Sequence, residues 1–160
     1  MRILAVLAAV AVLVACWAGW NWWSAADDEQ LAVAREREAV VDDISAALLT
    51  LHTIDYRDAE SSVDGWIEAT TGQLGKDLEK DRQLQLDRAA GTETVATAEL
   101  SRIAVTDLDV AEGSATMLAV LTVHLETADR KPSDSRSRLT VRAQRTAGGW
   151  KVAGVQAADS

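Results

Sequence analysis

Proton-transfer chemistry needs a base and an acid converging on one cavity. The residue types that could supply them here are His52, Asp55, Tyr56, Asp58 and His124. All but His124 fall in the run from His52 to Asp58, whereas His124 stands far along the chain between Val123 and Leu125. No spacing links the two histidines into a metal set, and no HExxH-like cluster occurs. GxSxG, P-loop and dinucleotide fingerprints are missing as well. A structural reading accounts better for the same residues. Asp55 and Asp58 suit turn and capping positions at the start of a helix, and Tyr56 suits a core aromatic with its hydroxyl at the rim. A lone histidine on a helix or strand is more often hydrogen-bonded or at the surface than a ligand. The expectation is therefore no catalytic, cofactor-binding or metal site, and no enzyme.

The elements that would position these residues follow from periodicity. From Asp27 to Leu51 there is no Gly or Pro, and Val33, Val40, Val41, Ile44, Leu48 and Leu51 recur at helical spacing, with Arg35, Glu36, Arg37 and Glu38 on the solvent side. Asp27, Asp28 and Glu29 in the first turn favour the positive end of the helix dipole. A second helix is expected from Asp58 to Thr70, ending near Gly72, with Gly65 working against it. A third runs from Gln73 to about Leu86, and the polar stretch Asp87 to Glu93 changes the period. Alternation then predicts four strands, Thr94–Val105, Ser114–Glu126, Ser137–Thr146 and Trp150–Ala157. Glu112-Gly113 and Gly148-Gly149 read as tight turns, and Ala128 to Ser135, with Pro132, as a polar loop. Helices followed by antiparallel strands define an α+β fold, with about three helices on a curved four-stranded sheet. Trp66 and Trp150 suit its core, although a lipid pocket between helix and sheet would use the same residue types.

Ahead of this domain, Ile3 to Trp23 carries no charge. At about 1.5 Å per residue it makes a helix of about 31 Å, matching the ~30 Å hydrocarbon core. Arg2 precedes it and Asp27, Asp28 and Glu29 follow, so the positive-inside rule leaves the N-terminus in the cytoplasm and the domain outside. Trp17, Trp20, Trp22 and Trp23 suit an interfacial belt at the exit. Leu13-Val14-Ala15-Cys16 resembles a lipobox, but the indoles just past Cys16 stand where a flexible polar tether belongs. The organisation read from the chain is a membrane anchor over 1–26, an amphipathic stalk helix over 27–57 and an α+β domain over 58–160. A net charge of −9 argues against nucleic acid as a partner. Cys16 is the only cysteine, so no internal disulfide can form.

In order along the chain, the anchor, the stalk, Leu51-His52-Thr53-Ile54-Asp55-Tyr56-Arg57, Ala69-Thr70-Thr71-Gly72 and Gly149-Trp150-Lys151-Val152 resemble the Mce-associated membrane proteins of actinobacterial envelopes. The absence of Phe departs from that family's aromatic core. The resemblance implies a nuclear-transport-factor-like (cystatin-like) cone domain and an accessory role stabilising a multisubunit Mce-type lipid import system. It implies Mce transporter subunits or related envelope proteins as partners, membrane lipid contacted through the anchor, and leaves a homo-oligomer open. A second family of similar architecture is the anchored assembly component of type IV secretion systems. A lipid-binding or isomerase-like pocket domain is the remaining alternative.

Overall fold

The computed structural model describes residues 30–127 and 130–158, so the anchor expected over 1–26, with Cys16, lies outside the described residues. The chain divides into two units, Met1–Glu36 and Arg37–Ser160. Of the first, the described residues 30–36 are helical. No helix among the described residues is long and apolar enough to cross a membrane.

Residues 30–51 form α1. Its apolar residues repeat every fourth position, and Val40, Ile44 and Leu48 are completely buried. The helix stops where His52 N–H donates to the carbonyls of Leu48 and Leu49 and Thr53 N–H donates to Thr50, tightening the last turn. There follow β1 (Ile54–Asp55), a 3-10 turn (Tyr56–Asp58), α2 (Ala59–Glu68), α3 (Gly72–Lys80) and α4 (Arg82–Thr92). The sheet is completed by β2 (Val95–Asp109), β3 (Ser114–Thr127), β4 (Arg130–Thr146) and β5 (Gly149–Ala157). Its strands lie in chain order, each antiparallel to the next.

The side chains of α1 fill one face of this sheet. Val40, Ile44, Ala47 and Leu48 pack with Met117, Ala119 and Leu121 of β3, Val141 and Ala143 of β4, and Trp150 and Val152 of β5. Each fully buried Leu, Ile, Val or Met contributes about 1.5–3 kcal/mol relative to exposure. The end of α2 is tied to the far edge of the sheet. Thr71 N–H donates to the Val152 carbonyl at 2.9 Å, and Val152 N–H donates to Ala69 at 3.0 Å. Thr70 between them is buried, and its hydroxyl donates to the Trp66 carbonyl at 2.9 Å.

The α+β class and the antiparallel sheet are as expected, and several details differ. Among the described residues there are five strands rather than four, because β1 has only two residues and shows no alternation to read. The expected third helix is two. Asp81, at φ −93° and ψ 10°, breaks it, and Arg82 beyond the break turns towards α2. The stretch Asp87 to Glu93 is mostly helix, anchored by buried Ala89 and ended by Glu93 in the left-handed region at φ 46°. Ala128 to Ser135 is no loop over most of its length, because β4 already pairs with β3 from Arg130. Pro132 is tolerated there because the ladder shifts register between Leu125 and Thr127 and β5 first pairs at Leu139, leaving this half of β4 an edge.

Candidate functional site

The run His52 to Asp58 folds into a corner joining α1 to α2. His52 Nδ1 donates to the Leu48 carbonyl at 2.9 Å, within its own helix. Asp55 caps the 3-10 turn by accepting from Arg57 N–H at 3.0 Å, and the Arg57 guanidinium lies 4.9 Å from the Tyr56 ring centre. Trp66 reaches back from α2, its Nε1 donating to the Thr53 carbonyl at 3.1 Å. Asp58 occupies the N-cap position of α2, yet its side chain makes no cap hydrogen bond, so that part of the capping expectation is corrected. Ser62 Oγ instead donates to the Asp58 carbonyl at 3.0 Å. Asp55→Ala is therefore expected to cost about 0.5–2 kcal/mol. Asp58→Ala should stay within about 0.5 kcal/mol. Paired urea unfolding curves check the contrast.

Across the helical side, Arg82 of α4 donates to Asp64 at 2.8 Å and Glu60 at 3.2 Å, both on α2. The hydrogen bond from Arg82 holds the Asp64 carboxyl below its usual range, and the same contact, followed by that with Glu60, raises Arg82. These pairs were not anticipated from the sequence, because Arg82 and its partners Glu60 and Asp64 belong to different expected helices.

A solvent-open cleft of about 470 Å³ lies between α1, α2 and the turn from β4 to β5, lined by Asp43, Thr50, Gly65, Glu68, Trp150 and Lys151 among others. Gly65 lets α1 and α2 approach, since a Cβ there would sit 3.2 Å from Thr50 Cγ2. Asp43 Oδ2 accepts from Trp150 N–H at 2.9 Å and so fixes the start of β5 to α1. Between α1 and the sheet lie Ile44, Leu48, Met117 and Leu121, all at 0% exposure.

His124 belongs to a different place, the sheet face turned away from that core. Its Nδ1 lies 2.7 Å from Asp134 Oδ1 on β4 and its Nε2 3.9 Å from Glu99 Oε2 on β2. The hydrogen bond to Asp134 and then its charge raise the His124 pKa, desolvation opposes them, and Glu99 adds a smaller upward push. A raised folded pKa means that the protonated pair stabilises this end of the sheet at low pH, and that the contribution is lost as pH rises through the folded value. The imidazole is expected to titrate above the ordinary ~6.5, with Asp134→Asn bringing the midpoint down; NMR titration of the ring checks both. No hydrogen bond or ion pair joins His52 to His124, and no group of three or more His, Cys, Asp or Glu suited to a metal exists among the described residues.

What fold this is becomes plain by comparison with solved structures. The periplasmic domain of DotI superposes with a TM-score of 0.61 at 15% identity, over 77% of this chain and 95% of that one. An IcmL-like type IV secretion system protein from Legionella pneumophila gives 0.59 at 10% identity, over 76% and 90%. VirB8 of Agrobacterium tumefaciens gives 0.57 at 15% identity, over 79% and 94%. At these identities the likeness shows the fold, and the arrangement fits the nuclear-transport-factor-like cone. The same fold carries other occupations. A Novosphingobium aromaticivorans protein provisionally assigned as an aromatic ring hydroxylase matches with a TM-score of 0.54 at 17% identity, over 78% and 94%. No protein-family profile matches the chain, and no curated protein matches it in sequence.

Proposed function

We propose that this chain is a membrane-anchored assembly component of a multisubunit envelope machine of the type IV secretion kind, its domain standing outside the cytoplasmic membrane and working through protein contacts rather than catalysis. The observation carrying this reading is that three domains of secretion components match 76–79% of this chain and 90–95% of their own length. The uncharged run Ile3 to Trp23 and its flanking charges supply the anchor and the orientation. The filled space around Ile44, Leu48, Met117 and Leu121 favours a packed scaffold over a lipid-holding or isomerase-like cone. The Mce reading shares the same architecture, but the likeness to domains of secretion components favours the secretion reading over it. Confinement by an anchor raises effective concentration, so a modest interface suffices to hold such a component in place.

The test is affinity purification of the full chain from native membranes after brief cross-linking, with the co-purifying proteins identified. Secretion-type envelope subunits are the expected result. Lipid-transporter subunits in their place would return the chain to the Mce reading, and a bound lipid in the purified chain would favour the pocket alternative.

A further inference from the structure

On a chain of net charge −9, the sheet face turned away from α1 gathers arginines. Since Met117, Ala119 and Leu121 face the core, Leu118, Val120 and Thr122 face outward. The ladder sets Arg102 and Arg138 on either side of Val120, Arg136 beside Thr122 and Arg142 beside Thr116. All four arginines are exposed, and none has a carboxylate within ion-pair distance among the described residues. Arg142 lies across β5, because a Cβ on Gly154 would fall 2.8 Å from its Nη2. Amid these charges Leu118 remains 46% exposed.

We propose that this lane binds an acidic, extended segment of a partner polypeptide, laid along β4 over Arg136, Arg138 and Arg142 with its apolar side chains against Leu118 and Val120. Guanidinium groups grip carboxylates through paired hydrogen bonds. A flat anionic bilayer fits less well. The β2 side of the same face carries Glu99 and Asp107, opposite Thr122 and Thr116, which a plane would meet together with the arginines and a narrow segment would not. Single-stranded nucleic acid gains much of its affinity from stacking on aromatic rings. Among the described residues this face offers no Trp or Tyr, since Trp150 is buried in the core and Tyr56 and Trp66 belong to the corner after α1, and its one imidazole, His124, is already held by Asp134. A second copy laid face to face about an axis across the strands would bring arginine against arginine. About an axis along β3 it would set Arg136 against Glu99 and Arg142 against Asp107 but still Arg102 against Arg138. Self-association in detergent that the reversal of Arg138 and Arg142 to Glu abolishes would overturn the proposal. The inference rests on the assembly reading for its choice of a polypeptide partner.

The experiment measures anisotropy of a short fluorescein-labelled peptide of alternating Glu and Val, titrated with the full-length chain in neutral detergent. Binding weakened by salt is expected, falling at least about tenfold in the double variant Arg138→Glu, Arg142→Glu and by clearly less in Arg138→Lys, Arg142→Lys, which keeps the charge but loses the paired hydrogen bonds. The double reversal should instead acquire affinity for the corresponding Lys-Val peptide. Because the arginines are exposed, circular dichroism and urea midpoints of these variants should match the parent chain. Absence of peptide binding, equal binding by parent and reversed chains, or tighter capture of phosphatidylglycerol vesicles or a single-stranded oligonucleotide through the same arginines would overturn the proposal. Co-purification from membranes is read separately. If the reversed chain still brings down the same secretion-type subunits while the peptide fails, the assembly reading survives and only the arginine lane falls.

Discussion

Leu48→Ala is expected to lower the unfolding free energy by about 3–5 kcal/mol, the range for a large aliphatic side chain removed from a site that cannot collapse. Leu48 is completely buried, in the same cluster as Ile44, Met117, Leu121 and Val152, all at 0% exposure. Its neighbours come from a helix and from the sheet, so neither layer can close the gap alone. Against a total stability on the order of 5–15 kcal/mol, such a loss approaches half of the margin. Urea unfolding of the full chain in detergent, followed by far-ultraviolet circular dichroism, would read it. Leu84→Ala, at an exposed position on α4, is the companion and should change the midpoint little. Equal effects at the two positions would mean that α1 does not complete the core as described.

Gly149→Ala is expected to be nearly as damaging, by a different route. Gly149 has φ 101°, in the region that favours glycine, where an L side chain costs on the order of 1–2 kcal/mol. The added Cβ would also fall 2.8 Å from Asp43 Oδ2, the atom that accepts from Trp150 N–H. Losing a hydrogen bond to a charged acceptor adds roughly 1.5–3 kcal/mol. The combined loss is put at about 3 kcal/mol, since the two effects share one site and do not simply add. Asp43→Asn separates them, removing the charge while keeping an acceptor, and should cost clearly less in the same measurement. If Gly149→Ala and Asp43→Asn unfold alike, the backbone conformation at Gly149 carries little of the effect.

Where a periodicity is long and its apolar residues large, the chain is readable. The stripe through Val40, Ile44 and Leu48 foretells the buried face of α1, and the alternation through Met117, Ala119 and Leu121 foretells β3. Where neighbours distant in sequence supply the stabilisation, it is not. β4 begins within a polar stretch containing Pro132 because β3 offers a partner ladder, and no local signal records that offer. Helix α4 persists through Thr92 with little amphipathic pattern, held by Ala89 and by the ion pairs from Arg82 to α2. Among the candidate residues, Asp55 was legible as a cap because capping is local. The partners of His124 were hidden until the register set Asp134 opposite it. The arginine lane was equally hidden: Arg102 and the β4 arginines belong to one surface only once β3 lies between them.

The seating of α1 against β3, β4 and β5 sets a timetable for synthesis. Leu48 is made early, yet Trp150 and Val152, members of the same cluster, are about 100 positions further on, and at ~5–20 residues per second they follow it by about 5–20 s. The hairpins of the sheet can form as each strand arrives, because every strand pairs with its predecessor in the chain. The stripe on α1 has no such early partner. Until β3 and β4 arrive, a row of aliphatic side chains stays open to any apolar surface nearby, and it closes completely only when β5 follows, so the need of a chaperone falls in steps as the sheet is made.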